Sequence, residues 1–239
     1  MKTSVFRPAL LREFKRVADP ARAIGAQAYM KSEMPYIGVA TTPRRQICKA
    51  VFSTHLLETA EAWRDEVLAI WRGATYREER YCAIELARAK QYRGFQTLDA
   101  LPMYEEMIVT GAWWDTVDEL ASHCIGDLLA AYPKQMKRTM RRWSVDDDMW
   151  KRRTSILCQL TFKRDTDLTL LYDCIEPSRG SREFFLRKAI GWALRQYAWT
   201  VPAEVKRYVA THELAPLSRR EALKNVATSP SKTDRARRR

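Results

Sequence analysis

The stretch WWDTVDELA at residues 113–121 matches two later stretches of the chain at a constant spacing. These are KRRTSILCQL at residues 151–160 and GWALRQYA at residues 191–198. Trp114, Arg153 and Trp192 take equivalent positions and are separated by 39 residues each time. A two-helix unit that recurs at roughly 40 residues is typical of HEAT and armadillo repeats. The spacing therefore predicts stacked helical repeats, with these three residues on one face, usually the concave one.

The rest of the chain also follows a helical period. Apolar residues at positions 6, 10, 11, 14 and 17 have the i, i+3, i+4 spacing of an amphipathic helix. Similar patterns predict helices over 60–72, 114–131, 149–162, 168–175 and 184–198. Only 8 of 239 residues are glycine, which disfavours sandwiches, barrels and glycine-lined nucleotide folds. We predict an all-α fold, a HEAT-like superhelix (solenoid), and the alternative is an irregular helical bundle.

The positive charge belongs mostly to the body of the chain. The net charge is +13, and residues 226–239 contribute only +4 of it. A basic body indicates a polyanionic partner, with nucleic acid favoured over a membrane surface. We therefore predict that the superhelix has a concave basic DNA-binding groove. The apolar period stops after Val226. We therefore expect one domain at 1–225 and a basic, disordered tail at 226–239 that either adds salt-sensitive attraction for DNA or only solubilises the chain.

Compartment and cofactor chemistry follow from what the sequence lacks. No run approaches 18 apolar residues, and the N-terminus has no uninterrupted apolar signal segment. Five widely spaced cysteines, with no CxxC and no zinc-like spacing, indicate buried thiols in a reducing compartment. We expect a cytoplasmic protein, associated with the nucleoid when bound to DNA, with no metal and no cofactor.

Several clusters carry the residue types that nucleic-acid chemistry needs. Trp114 and Asp118 are four residues apart, so both lie on one helix face. Basic residues close to aromatic ones offer phosphate contacts beside flat apolar surfaces. The candidates are Arg44 and Arg45 at a helix start, Lys151 and Arg152, and Lys188 and Arg195 around Trp192. Taken alone, each cluster is also compatible with a core tryptophan or a solvated charged face.

Taken together, these stretches resemble the DNA alkylation repair glycosylases of the AlkD type, a HEAT-like repeat family. The resemblance covers roughly residues 5–225, and its motifs occur in the same order. They are AYMKSEMPYIGV, TPRR, WWDTVDELA, MWKRRTSILCQL, FFLRKAIGWALRQYA and PAEVKRYV. The resemblance implies a site formed by Trp114, Asp118, Arg153 and Trp192, and a DNA contact at Tyr29.

The resemblance also implies a reaction, the excision of N3- or N7-alkylated purines such as 3-methyladenine and 7-methylguanine from double-stranded DNA. An alkylated purine carries positive charge and departs as a neutral base, so no strong general acid is needed. Asp118 would stabilise the cationic sugar, the two tryptophans would offer their ring faces to it, and Arg153 would hold a phosphate. We expect a monofunctional, monomeric glycosylase that leaves an abasic site, has no lyase activity and needs no obligate protein partner.

Two other readings remain open at the level of sequence. A non-catalytic HEAT-repeat protein could bind nucleic acid by charge alone, but a carboxylate such as Asp118 in its groove would repel the ligand. A protein–protein scaffold, the common use of such repeats, would need an apolar or acidic face. The chain has no GxSxG, GxGxxG, P-loop or HExxH motif that would support another enzyme class.

Overall fold

The computed structural model describes residues 3–224 and 226. Within these residues the chain forms fourteen α-helices and no strand, so the all-α prediction is confirmed. The helices are α1 (Arg7–Arg16), α2 (Pro20–Met30), α3 (Thr41–Phe52), α4 (Ala60–Gly73), α5 (Arg77–Ala87), α6 (Leu101–Gly111), α7 (Trp114–Glu119), α8 (Gly126–Ala131), α9 (Pro133–Ser144), α10 (Met149–Leu157), α11 (Leu168–Ile175), α12 (Phe184–Ala198), α13 (Pro202–Thr211) and α14 (Pro216–Leu223). The tail predicted at 226–239 lies outside the described residues, apart from Val226.

The chain divides into two compact units, one ending at Met107 and the other beginning at Ile108. In the first unit, helix α1 packs against α3 and α5, and α4 packs against α5. The helices start where the sequence supplies caps, because the side chains of Asp19 and Thr59 accept from the backbone N–H groups of Arg22 and Ala62. Aromatic and aliphatic side chains fill this unit's core, among them Phe6, Phe14, Trp63, Ile70 and Leu86.

Buried carboxylates hold the loops of the first unit. Glu78 is 1% exposed and accepts from three successive backbone N–H groups, those of Ile37, Gly38 and Val39. Glu66 likewise accepts from the backbone at the start of α1. Burying a carboxylate costs free energy unless the carboxylate is hydrogen-bonded. We therefore interpret Glu66 and Glu78 as residues that stabilise the first unit.

The second unit is layered. Helix α10 packs against α12 and α12 packs against α14, while α9 packs against α11. Helices that are consecutive in the chain also pack against each other, α9 against α10 and α12 against α13, and short loops connect them. This arrangement is consistent with a HEAT-like helical repeat, as the sequence spacing predicts. Helices α11 and α12 begin and end at the predicted residues.

The predicted helix over 114–131 is continuous but not uniform. Helix α7 ends at Glu119, a π-helical segment spans Leu120–Ile125, and α8 begins at Gly126. The backbone stays right-handed helical through both junctions. A π segment leaves the helical run intact but changes the direction of the side chains on either side of it. In the sequence the segment LASHCI has the same apolar spacing as the helices around it, so nothing marks it.

Other expectations need correction at helix ends. The helix predicted over 149–162 ends at Leu157, because Leu160 and Phe162 donate to carbonyls only three residues back. Helix α3 begins at Thr41, so Arg44 and Arg45 lie inside it rather than at its start.

The five cysteines are buried and unbridged. In the described part of the chain, no helix is long and apolar enough to span a membrane.

Candidate active site

Asp118 on α7 and Arg153 on α10 form a buried ion pair in the second unit. The guanidinium donates from Nε to Oδ1 and from Nη2 to Oδ2, both at 2.8 Å. The side chain of Asp118 is 12% exposed and that of Arg153 only 5%. Two parallel hydrogen bonds of this kind fix the plane of a carboxylate as well as its position. The carboxylate is the more accessible end of the pair.

The third guanidinium nitrogen of Arg153 is also occupied. Nη1 donates to the backbone carbonyl of Phe185 at the start of α12, and the ring of Phe185 lies 5.9 Å from Cζ. Arg153 is therefore tied to α7 and to α12 at once. Three of the five N–H groups of Arg153 serve protein acceptors, so the expectation that Arg153 holds a phosphate rests on the other two and stays a prediction. In this structure Arg153 orients Asp118.

An aromatic cluster packs beside this pair. The ring of Phe185 lies 5.0 Å from Trp150 and 5.2 Å from Trp113, and Trp113 lies 6.3 Å from Trp150. The indole N–H of Trp113 is buried and meets no acceptor among the described residues. The rings support α10 and the start of α12 around the guanidinium. Nothing in the sequence indicates that Trp113 and Phe185 are in contact.

Opposing effects set the protonation of Asp118. Burial raises the pKa of this carboxyl, and the hydrogen bonds and charge of Arg153 act in the opposite direction. The net effect is a pKa above the ordinary aspartate value. Burial, together with the charges of Asp115 and Glu119, thus outweighs the arginine. A carboxylate removed from water in this way interacts more strongly with a nearby positive charge than a solvated one does.

The two tryptophans of the predicted site are half-buried. Trp114 precedes Asp118 by one turn on α7, and Trp192 lies in the middle of α12. Helix α10, which carries Arg153, packs against both α7 and α12. The structure therefore places the four predicted residues on three helices of one unit, with α10 packed against the other two. Asp118 and Arg153 are in direct contact, which the sequence did not predict.

The π-helical segment follows Asp118 directly. The Ser122 hydroxyl donates to the backbone carbonyl of Asp118 at 2.6 Å, and the Thr161 hydroxyl donates to the carbonyl of Ser122. A Cβ at Gly126 would lie 2.8 Å from the carbonyl oxygen of Cys158. Glycine at 126 therefore lets this segment approach the end of α10. These contacts fix the helix that carries Asp118 against the helix that carries Arg153.

The basic residues predicted to bind DNA in the second unit are all held by acids or partly buried. Lys151 pairs with Asp146 at 3.2 Å, and Arg152 next to it is half-buried. Lys188 and Arg195 on α12 pair with Glu221 of α14, at 3.2 and 2.7 Å. Glu221 is a residue that the sequence analysis missed, because its partners lie 33 and 26 residues away and no local pattern links them.

The predicted DNA-binding residues of the first unit have different surroundings. Tyr29 on α2 is 77% exposed and lies at the surface. Arg44 and Arg45 share Glu85, with N–O distances of 3.5 and 3.0 Å. Arg44 is mostly buried and stacks 4.6 Å above the ring of Tyr81, whereas Arg45 keeps more than half of its side chain exposed. Arg45 and Tyr29 are thus the more accessible of the three.

No group of three or more His, Cys, Asp or Glu side chains is arranged to hold a metal ion in the residues that the structure describes.

Comparison with known proteins relates this chain to a family and to a solved structure. A family model described as "DNA alkylation repair enzyme" matches residues 10–226. A solved structure titled "Predicted DNA alkylation repair enzyme from Enterococcus faecalis" superposes with a TM-score of 0.80 at 29% identity, covering 89% of this chain and 98% of that one. A comparison with curated proteins found no match. The resemblance stated from the sequence is confirmed, and it supports a role in the repair of alkylated DNA. The chain belongs to the family of DNA alkylation repair enzymes.

Proposed function

We propose that the protein is a monofunctional DNA glycosylase that hydrolyses the N-glycosidic bond of N3- and N7-alkylated purines in double-stranded DNA. The observation that carries this proposal is the buried Asp118 carboxylate, which Arg153 fixes through both oxygens and which forms the more exposed end of the pair. A carboxylate has about four lone-pair sites, and Arg153 uses two of them. The remaining sites are free to face a sugar or a water molecule.

The alkylated base can leave without being protonated by the protein. When the C1′–N bond breaks, its electron pair leaves with the purine, whose positive charge is thereby neutralised. The sugar becomes an oxocarbenium ion, to which water adds at C1′ before losing a proton. Asp118 stabilises the developing positive charge and orients that water. A fixed group of this kind is worth about 3–4 kcal/mol of barrier in other enzymes.

The tryptophans supply a second source of stabilisation. Trp114 lies one turn before Asp118, and Trp192 lies on the helix whose start accepts a hydrogen bond from Arg153. The π face of tryptophan attracts a cation, worth about 0.5–2 kcal/mol per contact. We propose that both rings face the sugar. Arg153 then acts by positioning Asp118 through two of its five N–H groups, with a third bonded to Phe185 and two left for a phosphate.

DNA would be held by the partly exposed cations. Lys188, Arg195 and Arg45 keep part of their side chains accessible, and Tyr29 is almost fully exposed. We propose that these residues contact the DNA backbone, with Arg44, Lys151 and Arg152 contributing mainly through their charge. The protein would act as a monomer, bound to DNA in the cytoplasm, without a cofactor or an obligate protein partner.

The protein should not cleave the DNA strand. A lyase needs an amine with a free lone pair that attacks C1′. The lysines nearest in sequence to the site residues, Lys151 and Lys188, are ion-paired with Asp146 and Glu221 as ammonium groups. The expected product is therefore an abasic site in an intact strand.

Release of free base tests the proposal. Duplex DNA carrying 7-methylguanine or 3-methyladenine is incubated with the protein, and both the released base and the strand length are measured. We expect free base from the damaged duplex, with a strand that breaks only after heating in alkali. Binding without release of base from either lesion would replace this proposal with a non-catalytic nucleic-acid-binding protein.

A further inference from the structure

One face of helix α12 carries two cations on either side of a tryptophan. Lys188 and Trp192 are four residues apart, and Trp192 and Arg195 are three apart, so all three share one face. The side chain of Lys188 is 39% exposed and that of Arg195 is 27% exposed. Each cation thus lies about one turn from Trp192 and is accessible in part.

A single buried carboxylate from α14 contacts both cations. Glu221 accepts from Lys188 Nζ at 3.2 Å through Oε1, and from Arg195 Nη1 at 2.7 Å through Oε2. A third cation, Lys224, approaches Oε1 at 2.6 Å. The Glu221 side chain is only 4% exposed, so it lies beneath the cations. Lys224 and Lys188 lower the pKa of Glu221, which therefore stays ionised.

A glycine makes this contact possible. A Cβ at Gly191 would lie 2.5 Å from the Cβ of Glu221 and 2.9 Å from the carbonyl oxygen of Ser218. No side chain fits there without moving α14 away from α12. The Ser218 hydroxyl also donates to the carbonyl of Arg187 at 2.9 Å, which fixes the two helices in register. Residue 191 thus allows Glu221 to reach the cations that flank residue 192.

The cluster around Glu221 carries a net positive charge. One carboxylate faces three cations, which leaves two net positive charges on a partly exposed surface. Lysine and arginine side chains lose much conformational freedom when a ligand orders them, and that loss weakens binding. A buried anion that already holds both side chains reduces this cost. Because the cations are more exposed than Glu221, a phosphate would meet them first.

We propose that Glu221 is a positioning residue, which holds Lys188 and Arg195 on either side of Trp192 for two phosphates of the DNA backbone. This inference rests on the proposed function, because it takes this face of α12 to be the face that meets DNA. It assigns to a residue outside the predicted site the task of placing DNA over Trp192.

The test compares DNA affinity with the rate of base release under single-turnover, saturating conditions. Glu221→Gln removes a negative charge, so we expect unchanged or tighter DNA binding. We expect its saturated release rate to fall at least about fivefold, because misplaced substrate loses rate even when it is bound. Glu221→Asp should recover part of the rate. Glu204→Gln, which removes an ion-paired carboxylate on α13, is the matched control and should change neither quantity.

A purely structural role for Glu221 gives a different pattern. Affinity and rate would then fall together, in proportion to the unfolded fraction measured for the same sample, and that result overturns the proposal. So does an unchanged release rate in Glu221→Gln while the wild type is active. A wild type that releases no base instead refutes the proposed function, and this inference with it.

The salt dependence of binding to undamaged duplex gives a readout that needs no catalysis. If Lys188 and Arg195 each contact a phosphate, the Lys188→Gln, Arg195→Gln double variant should lower the slope of log K against log salt by about 1.8. An unchanged slope overturns the proposal even if every variant remains an active glycosylase.

Discussion

Arg153 contacts both carboxylate oxygens of Asp118 at 2.8 Å, across 35 residues of sequence. The pair joins α7 to α10, and the third nitrogen of the same guanidinium reaches α12 through the carbonyl of Phe185. One arginine therefore connects the three elements that carry the candidate active site. The Asp118 carboxylate has a fixed orientation before any DNA is bound, which is the condition for electrostatic stabilisation without reorganisation.

Replacing Arg153 should lower the stability of the protein and raise the pKa of Asp118. Arg153→Gln leaves the buried Asp118 carboxylate without its counter-ion, so we expect a loss of about 3–5 kcal/mol in the free energy of unfolding. The pKa of Asp118 should rise further, because Arg153 is the group that lowers it. Chemical denaturation measures the first effect, and the pH profile of base release measures the second.

The matched control is Arg141→Gln. Arg141 pairs with Asp173 at 2.7 Å between two side chains that are both more than 40% exposed. An exposed pair contributes about 0–1 kcal/mol, so this variant should unfold almost like the wild type. Equal losses for Arg153→Gln and Arg141→Gln would mean that the Asp118–Arg153 pair is no more than a surface contact.

The rate of base release should depend on the ionisation of Asp118. Burial raises the pKa of this group, so as the pH falls the carboxylate takes up a proton earlier than an exposed aspartate does. The rate should be flat near neutral pH and fall on the acid side, with a midpoint above about 3.9, the value for an unperturbed aspartate. Single-turnover rates, corrected for uncatalysed loss of base at each pH, give the profile. A rate that stays constant below that pH would exclude a role for the Asp118 charge.

Gly126 should not tolerate even a methyl group. Alanine is the better helix former by about 1 kcal/mol, so Gly126→Ala would stabilise an unconstrained helix. Here the new Cβ would lie 2.8 Å from the carbonyl oxygen of Cys158. We expect a net loss of about 1–3 kcal/mol instead, since α8 and α10 must separate. Gly94→Ala, where nothing lies within 4 Å of the new Cβ, is the control, and thermal unfolding distinguishes the two.

The sequence predicts the helices better than the contacts between them. Apolar spacing sets the bounds of Leu168–Ile175 and Phe184–Ala198, because each helix buries one continuous stripe. The 39-residue repeat also selects α7, α10 and α12 as the elements of the site. It assigns Arg153 to the same face as the two tryptophans, whereas the structure buries Arg153 against Asp118.

Two features of the site have no local signal. The π segment Leu120–Ile125 differs from an α-helix in its hydrogen bonds and not in its composition. Glu221 meets Lys188 and Arg195 only because Gly191 lets two helices approach, and that requirement depends on the position of α14. Both are long-range packing effects, which the residues of a single helix do not encode.

The conformation of the loop before α3 should depend on the carboxylate of Glu78. Glu78 accepts from the backbone N–H groups of Ile37, Gly38 and Val39, and Glu78→Gln replaces a charged acceptor with a neutral amide. We expect a loss of about 1.5–3 kcal/mol in the stability of the first unit, the range for hydrogen bonds to charged groups. Hydrogen exchange at these three amides should speed up more than exchange in α12. Unaltered exchange at 37–39 would show that Glu78 does not hold this loop.

The role of the Asp118 charge is tested by comparing wild type and Asp118→Asn on duplex DNA that carries 7-methylguanine. Asparagine keeps the size of the side chain and one oxygen acceptor but removes the charge. We expect wild type to release free 7-methylguanine, and Asp118→Asn to bind the same DNA but to release the base at least about 100-fold more slowly, as expected for loss of one preorganised electrostatic group. Equal release by the two proteins would rule out this mechanism, because the Asp118 charge would then have no part in the reaction.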